Sequence, residues 1–365
     1  MLINPFKNAF GLDFGDRSVK LVQLSKRGVG LGKKRYKLNH ASGFDLPPGL
    51  IVDGEIQRPE EVLRLLRHHL TSRHKGLEKS PWVVTSLPET KTYVQLIKVK
   101  VDLEEGEKID PQDVIDQVPS YLPFDLESVY LDWQPVDCEE VCGKERSVLL
   151  AAVPKTIADS YTYLLNMAGL SPLSMEVEAT AIARAVINRG KSLKGEARGI
   201  LDLGAARSSF IIYDHGVVQF SLSLPVSGQK ITESISRSLK IDPVEAEKIK
   251  RECGLESKKC QGKTKKVLTE TLDDLTDKIF QAINFYKLHF PDKNPLTVIR
   301  TTGGGANMPA LESYLSSKLK IKVRKANPWV NLFPVDKPPM PPEESLRYAT
   351  SIGLAMRALE DPILL

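Results

Sequence analysis

Apolar residues along this chain recur at two different periods, and the changes of period mark out its elements. A short apolar run at 200–203, four turn residues at 204–207 and a second β-rich run at 208–213 predict a β-hairpin, closed by Asp214, His215 and Gly216. The same construction stands near the N-terminus, as Phe10-Gly11-Leu12-Asp13-Phe14-Gly15-Asp16-Arg17-Ser18-Val19-Lys20-Leu21-Val22. Both copies share Leu-Asp-X-Gly, a short turn, a Ser and a second β run, which reads as a duplicated unit.

Between and after these hairpins the pattern predicts a mixed α/β chain. A third β run covers 35–44, and 59–70 carries Val62, Leu65, Leu66 and His69 at helical spacing with Pro at the helix start. Residues 82–87 read as a buried strand. The texture then changes: β runs at 93–101, 129–136 and 147–153 surround a short helix at 111–118 and a rigid aromatic turn at 121–125, and an amphipathic helix covers 155–170. We read 89–167 as an inserted α/β subdomain, 1–88 with 168–190 as a first lobe, and 191–365 as a second lobe whose helical part lies at about 228–293. An Ala-rich helix from Ala179 connects the lobes, and a second small-residue helix at 345–359 mirrors it. Helices at 228–239, 243–253 and 268–288, a strand at 296–301 and a helix at 310–319 complete the second lobe.

Composition narrows the class. With 365 residues, 41% hydrophobic and 27% charged, the chain has enough apolar material for about two domains with sizeable cores. A formal charge of +5, with acids and bases alternating and no aromatic-spaced basic stripe, gives no footprint for nucleic acid. The local excess of Lys258, Lys259, Lys263, Lys265 and Lys266 reads as a solvated loop. Cys138, Cys142, Cys253 and Cys260 have no zinc-ribbon spacing and read as free thiols. His68, His69 and His74 lack a completing carboxylate or Cys and read as solvent-facing helix-end residues. No apolar stretch is long enough to cross a bilayer, so the expected location is the cytoplasm.

The chemistry sits in the turns. An Asp at the end of a buried strand (Asp13, Asp202) can hold a magnesium-bound water, and a Gly two residues later (Gly15, Gly204) lets backbone N–H groups approach a phosphate. Ser208 offers a hydroxyl. Gly303-Gly304-Gly305-Ala306-Asn307, between a strand and a helix, is a place for a nucleotide to meet the chain, and Met308 removes the third glycine of a dinucleotide fingerprint. Glu247 and Lys250 share one helix face and read, on spacing alone, as an exposed ion pair worth about 0.3 kcal/mol.

The order of phosphate loop, connector, phosphate loop, adenosine loop and connector resembles the actin, heat-shock-chaperone and sugar-kinase ATPase superfamily. That likeness implies a two-lobed actin-like, ribonuclease-H-like fold closing on Mg-ATP. Within it, Phe-Gly-Leu-Asp-Phe-Gly (10–15), Tyr-Leu-Pro-Phe (121–124), Leu-Asp-Trp (131–133), Glu-Ala-Thr-Ala-Ile-Ala-Arg-Ala (178–185), Ala-Glu-Lys-Ile-Lys (246–250) and Thr-Gly-Gly-Gly-Ala-Asn (302–307) resemble the PilM family of type IV pilus assembly. The division protein FtsA, which shares an inserted subdomain, is similar too.

The resemblance implies that Asp13 and Asp202 hold magnesium through water, and that Gly15, Ser18, Lys20, Gly204 and Ser208 line the phosphates. Glu247 and Lys250 would meet the ribose, with Gly303, Gly304, Gly305 and Asn307 on adenosine. Glu178 matches a connector glutamate that orients the attacking water. Asp16 and Arg17 stand where small hydroxyl residues are common, an added acid that Arg17 is expected to offset. The implied function is an ATP-binding scaffold of the inner-membrane platform with at most slow ATPase activity, docking the N-terminal cytoplasmic peptide of a PilN-like membrane protein. Tyr121 and Phe124 of the insert are the expected partner-binding residues. An FtsA-like filament at the membrane and a sugar or acid kinase are the alternatives, although no Asp in 1–88 advertises the base a kinase needs, Asp53 being the one left open.

Overall fold

A computed structural model describes residues 5–27, 35–72, 77–101, 109–136, 145–256, 258–290 and 292–360. His74, Cys138 and Cys142 lie outside them. The N-terminal hairpin is β1 (Phe10–Phe14) with β2 (Ser18–Arg27), followed by β3 (Arg35–Asp45), a two-residue ladder of β4 (Ile51–Val52) and β5 (Glu55–Ile56), α1 (Pro59–Thr71) and β6 (Trp82–Leu87). Next come β7 (Tyr93–Lys100), α2 (Pro111–Gln117), β8 (Val129–Val136), β9 (Glu145–Pro154), α3 (Lys155–Met167), β10 (Ser171–Val177) and the connector α4 (Glu178–Val186). The remainder is β11 (Ala197–Leu203), β12 (Ser208–Asp214), β13 (Val217–Leu224), α5 (Gly228–Leu239), α6 (Pro243–Glu252), α7 (Lys263–His289), β14 (Leu296–Thr302), α8 (Leu311–Leu319), β15 (Lys322–Lys325), α9 (Pro342–Ser345) and α10 (Ala349–Glu360).

The duplication seen in the sequence is a duplication of topology. The first sheet runs β10-β6-β1-β2-β3, and the second begins β15-β14-β11-β12-β13, so each hairpin is flanked by a parallel strand on one side and an antiparallel one on the other. Asp13 faces Lys20 across the first hairpin, and Asp202 faces Ser209 across the second.

The second sheet continues past five strands. Phe220 of β13 pairs with Gln95 of β7, which extends the sheet through β7-β9-β8 to eight strands. Main-chain hydrogen bonding thus ties β7, β8 and β9 to the second sheet, and their own cluster of Ile97, Val99, Val114, Val118, Val148 and Leu150 covers one face. The apolar side of α3 goes elsewhere. Ile157, Ala158, Tyr161, Leu164 and Leu165 pack with Phe10, Leu12, Phe14, Val62 and Leu66 in the core of the first sheet.

Between the sheets lie the small-residue helices. A Cβ on Gly353 of α10 would stand 1.8 Å from the Ala181 carbonyl oxygen of α4, and one on Gly11 of β1 would stand 2.4 Å from that of Ser351. Only glycine allows backbones this close. Buried Glu176 locks the pair: Arg184 of α4 reaches both of its oxygens, and Arg357 of α10 reaches Oε2 at 3.1 Å.

Three local expectations need correction. Cys253 and Cys260 are bonded as a disulfide, with Cα atoms 6.0 Å apart, because the turn after α6 folds back on itself before α7. His69 faces the sheet instead of solvent: its Nε2 is 2.8 Å from Ser42 Oγ, and its ring packs on Phe44. The long helix of the second lobe begins at Lys263, five residues before the expected start, and spans 27 residues. Among the described residues no group of histidines, cysteines and carboxylates is arranged to hold a metal by itself.

Candidate functional site: a cleft between two hairpin turns

The two hairpin turns, the turn after β14 and one face of α6 open onto a single cleft of about 570 Å³. It is lined by Asp13, Gly15, Ser18, Lys20, Glu178, Asp202, Gly204, Glu247, Lys250, Gly303, Gly304, Gly305 and Asn307. Of the residues assigned to nucleotide in the sequence, Ser208 alone is placed elsewhere. As the first residue of β12 it points into the protein, 3% exposed, and its hydroxyl has no hydrogen-bond partner among the described residues.

Tight turns create the open space. A Cβ on Gly204 would lie 2.4 Å from the Arg207 carbonyl oxygen. Gly303 has φ of 79° and ends β14 beside Asp202, where a Cβ would stand 2.9 Å from Asp202 Oδ1. The turn after β11 is also held from outside, since Gly228 and Gln229 at the start of α5 donate their amides to the carbonyls of Gly204 and Ala205 at 2.9 and 2.8 Å.

Asp13 and Asp202 reach the cleft with different partners. Asp13 pairs with Lys20 Nζ at 3.2 Å. Asp202 makes no hydrogen bond or ion pair among the described residues, and burial, reinforced by Asp13 and Glu89 and opposed by Lys20, pushes its carboxyl up to about 7. Such a carboxylate is short of a cation. Glu178, the first residue of α4, is pushed by burial up to about 8 against the pull of Arg207. Glu89, just after β6, is likewise raised by burial.

Asp16 is compensated by a different residue from the expected Arg17. Its carboxylate accepts the amides of Asp53 and Gly54 at 2.9 and 3.1 Å, and Arg207 Nε of the second hairpin turn lies 3.4 Å from Oδ1. Arg207 Nη2 is 3.6 Å from Glu178 Oε1. Arg207 was the residue whose role sequence reasoning missed: its charge in a glycine-alanine turn was visible, but its partners are 29 and 191 positions away. Asp53 itself turns outward to Lys91 and does not line the cleft.

At the far end, Glu247 and Lys250 are not the exposed pair that spacing alone suggests. Lys250 is 9% exposed, pairs with Glu247 at 2.6 Å, and donates to Gly228 O and Thr232 Oγ1 at 2.9 and 2.8 Å. Burial pulls the Lys250 ammonium down. Burial acts to raise Glu247, and the hydrogen bonds from Lys250 and Thr232 overcome it and hold the carboxyl low. Thr232 and Gly228 join the site through α5, signalled in the sequence only by the Ser227 N-cap that sets where that helix begins.

The family model for type IV pilus assembly protein PilM matches residues 11–359. The chain belongs to this PilM family. Among solved structures it is similar to one described as a PilM-PilN type IV pilus biogenesis complex, at 24% identity with a TM-score of 0.79, covering 98% of this chain and 100% of that one. It is also similar to the ethanolamine utilization protein EutJ from Carboxydothermus hydrogenoformans, at 15% identity and TM-score 0.55, covering 97% of this chain and 90% of that one. A third similar structure is MreB5 of Spiroplasma citri bound to ADP, at 14% identity and TM-score 0.56, with 97% of each chain covered. At these identities the solved structures establish the fold, the two-lobed actin-like architecture that the PilM resemblance implies.

The insert residues Tyr121 and Phe124 lie away from the cleft. Tyr121 is 37% exposed with its hydroxyl on the Lys98 carbonyl at 2.8 Å, and Phe124 is half-buried outside the insert's apolar cluster. A second cleft, of about 460 Å³, lies where Gln134, Pro135 and Val136 of β8 meet Thr180, Ala183 and Arg184 of α4 and the turn between β12 and β13. No helix among the described residues is long and apolar enough to cross a membrane.

Proposed function

We propose that this PilM-family chain binds Mg-ATP in the large cleft and, as a scaffold of pilus assembly, docks the N-terminal cytoplasmic peptide of a PilN-like inner-membrane protein. The observation that carries the nucleotide half is the convergence of both Asp-X-Gly turns, the Glu247–Lys250 pair and the Gly303–Gly305 turn on one cleft. Gly15, Ser18 and Gly204 would face phosphates, Lys20 would counter their charge, and Gly303, Gly304, Gly305 and Asn307 would pack on adenosine. Glu247, held by Lys250 and Thr232, would accept from the ribose hydroxyls, with Lys250 as its fixed counter-charge beside the ribose.

Magnesium suits the donor set: it uses one or two carboxylates and completes its shell with water and phosphate oxygens. Asp13 and Asp202 fit that need, and among the described residues Asp202 has no cation at hydrogen-bond distance. The metal would neutralise phosphate charge. Turnover is slow in this reading, because a Glu178 carboxyl that holds its proton to about pH 8 is a poor acceptor at neutral pH.

For the partner, β8 is one edge of the eight-stranded sheet among the described residues, with the Tyr121–Phe124 turn before it and the second cleft at its far end. An extended peptide can add to such an edge through main-chain hydrogen bonds and place side chains in flanking pockets. We assign the insert and its border with α4 to partner binding, and place the chain peripherally at the inner membrane through that partner. Anisotropy of a labelled N-terminal PilN-like peptide tests this. Phe124→Asp or Thr180→Glu should weaken peptide binding at least tenfold with Mg-ATP affinity unchanged. Full binding by both variants would move the docking surface elsewhere.

A further inference from the structure

Among the described residues, both ion pairs of Arg207 reach across the cleft. The residue stands in the turn between β11 and β12, and its guanidinium lies 3.4 Å from Asp16 Oδ1 of the first hairpin turn and 3.6 Å from Glu178 Oε1 at the start of the connector. Its side chain is 15% exposed, and its Nη1 is buried without a hydrogen-bond partner among the described residues. Charge-assisted hydrogen bonds to carboxylates close to about 2.7–2.9 Å. Arg207 instead sits longer than that from both acids, shared between them and forked onto neither. Asp16 is no loose end, because the Asp53 and Gly54 amides fix its carboxylate. Glu178 has no other polar partner among the described residues.

From this geometry we infer that Arg207 is a positioning residue for Glu178: anchored on Asp16 across the cleft, it sets the direction of the Glu178 carboxyl toward water beside the terminal phosphate and joins the two lobes at that end. The hydrolytic part rests on the nucleotide reading given above. The cross-lobe part does not. The other cations at this end are Lys20, engaged with Asp13, and Arg17, and neither forms an ion pair with Glu178 among the described residues.

The test uses full-length wild type, R207A, R207K, E178Q and the R207A/E178Q double variant. Hydrogen exchange without nucleotide reads the cross-lobe contact. R207A should exchange at least about tenfold faster than wild type at both 51–56 and 204–207, with R207K in between. Phosphate release followed over a day reads the positioning role. R207A should lose at least about tenfold in kcat with KM within about threefold of wild type, R207K should recover part of the loss, and R207A should add nothing to E178Q.

Unchanged exchange in R207A overturns the cross-lobe contact. Additive losses in the double variant, or a tenfold rise in KM that R207K restores, overturn positioning and make Arg207 a phosphate ligand. A wild type that binds Mg-ATP and releases no phosphate also overturns it. A wild type that binds no Mg-ATP defeats the nucleotide reading and the positioning role with it, while the exchange measurements still decide the contact. Should R207A fail to fold, D16N removes the anchor isosterically and is read in the same two assays.

Discussion

Charge balance at single residues governs this cleft. Asp13, Asp16, Glu178 and Asp202 converge on it, with Arg17, Lys20 and Arg207 as cations at the phosphate end. Replacing Asp202 by Ala removes the carboxylate that lacks a cation, so magnesium-dependent ATP affinity should fall at least about tenfold, or ~1.4 kcal/mol, by calorimetry. Glu178 makes a second prediction, in pH. Folded, its carboxyl keeps its proton to about pH 8, against an ordinary value of 4.5 in the unfolded chain. Between these values the folded state holds the extra proton, so its stability falls as pH rises. Asp202, raised from 3.8 to about 7, acts in the same direction over a lower range. The nucleotide-free protein should therefore melt at lower temperature at pH 8.5 than at pH 6. E178Q, which cannot ionise, should show a shallower decline in the same thermal scans.

At the scale of elements, the connector pair α4 and α10 is the joint on which the two sheets meet. Its contact depends on Gly353 lying against the Ala181 backbone, so Gly353→Val forces the helices apart. We expect a loss of about 3 kcal/mol in urea unfolding, at the upper end of overpacking costs. Glu176 is the polar counterpart, buried and held by Arg184 and Arg357 from the two helices. Burial acts to raise its carboxyl and the two guanidinium groups more than reverse that. Glu176→Ala leaves two buried cations without their acid and should cost about 3–5 kcal/mol by the same measurement. The small-residue character of both helices was legible in the sequence. Their pairing with each other, across 169 positions from Arg184 to Gly353, was not.

For the whole molecule, a duplicated unit builds two sheets of matching strand order and leaves a cleft between their turns, while the strands inserted after β6 lengthen the second sheet to an edge at β8. Separate cleft and edge predict separable functions. Saturating Mg-ATP and a PilN-like peptide should bind together, and Asp202→Ala should retain peptide affinity within about threefold in anisotropy titrations. Competition between the two ligands would place both in one site.

The sequence by itself determined the hairpins, the two connector helices and the two Asp-X-Gly turns and glycine turn that open onto the cleft. Those signals are local, being apolar period, a glycine where backbone must approach, and an Asp at a strand end. Ser208 shows the limit of that reading, since β12 is buried along nearly its whole length and its first hydroxyl is enclosed with it. Tertiary structure alone decided which cation answers Asp16, which sheet the inserted strands extend, where α3 buries its apolar side, and that Glu247 and Lys250 form a buried, multiply bonded pair. Each depends on contacts between residues far apart in the chain. Spacing along the sequence carries no information about such distances until the sheets have closed around α4 and α10.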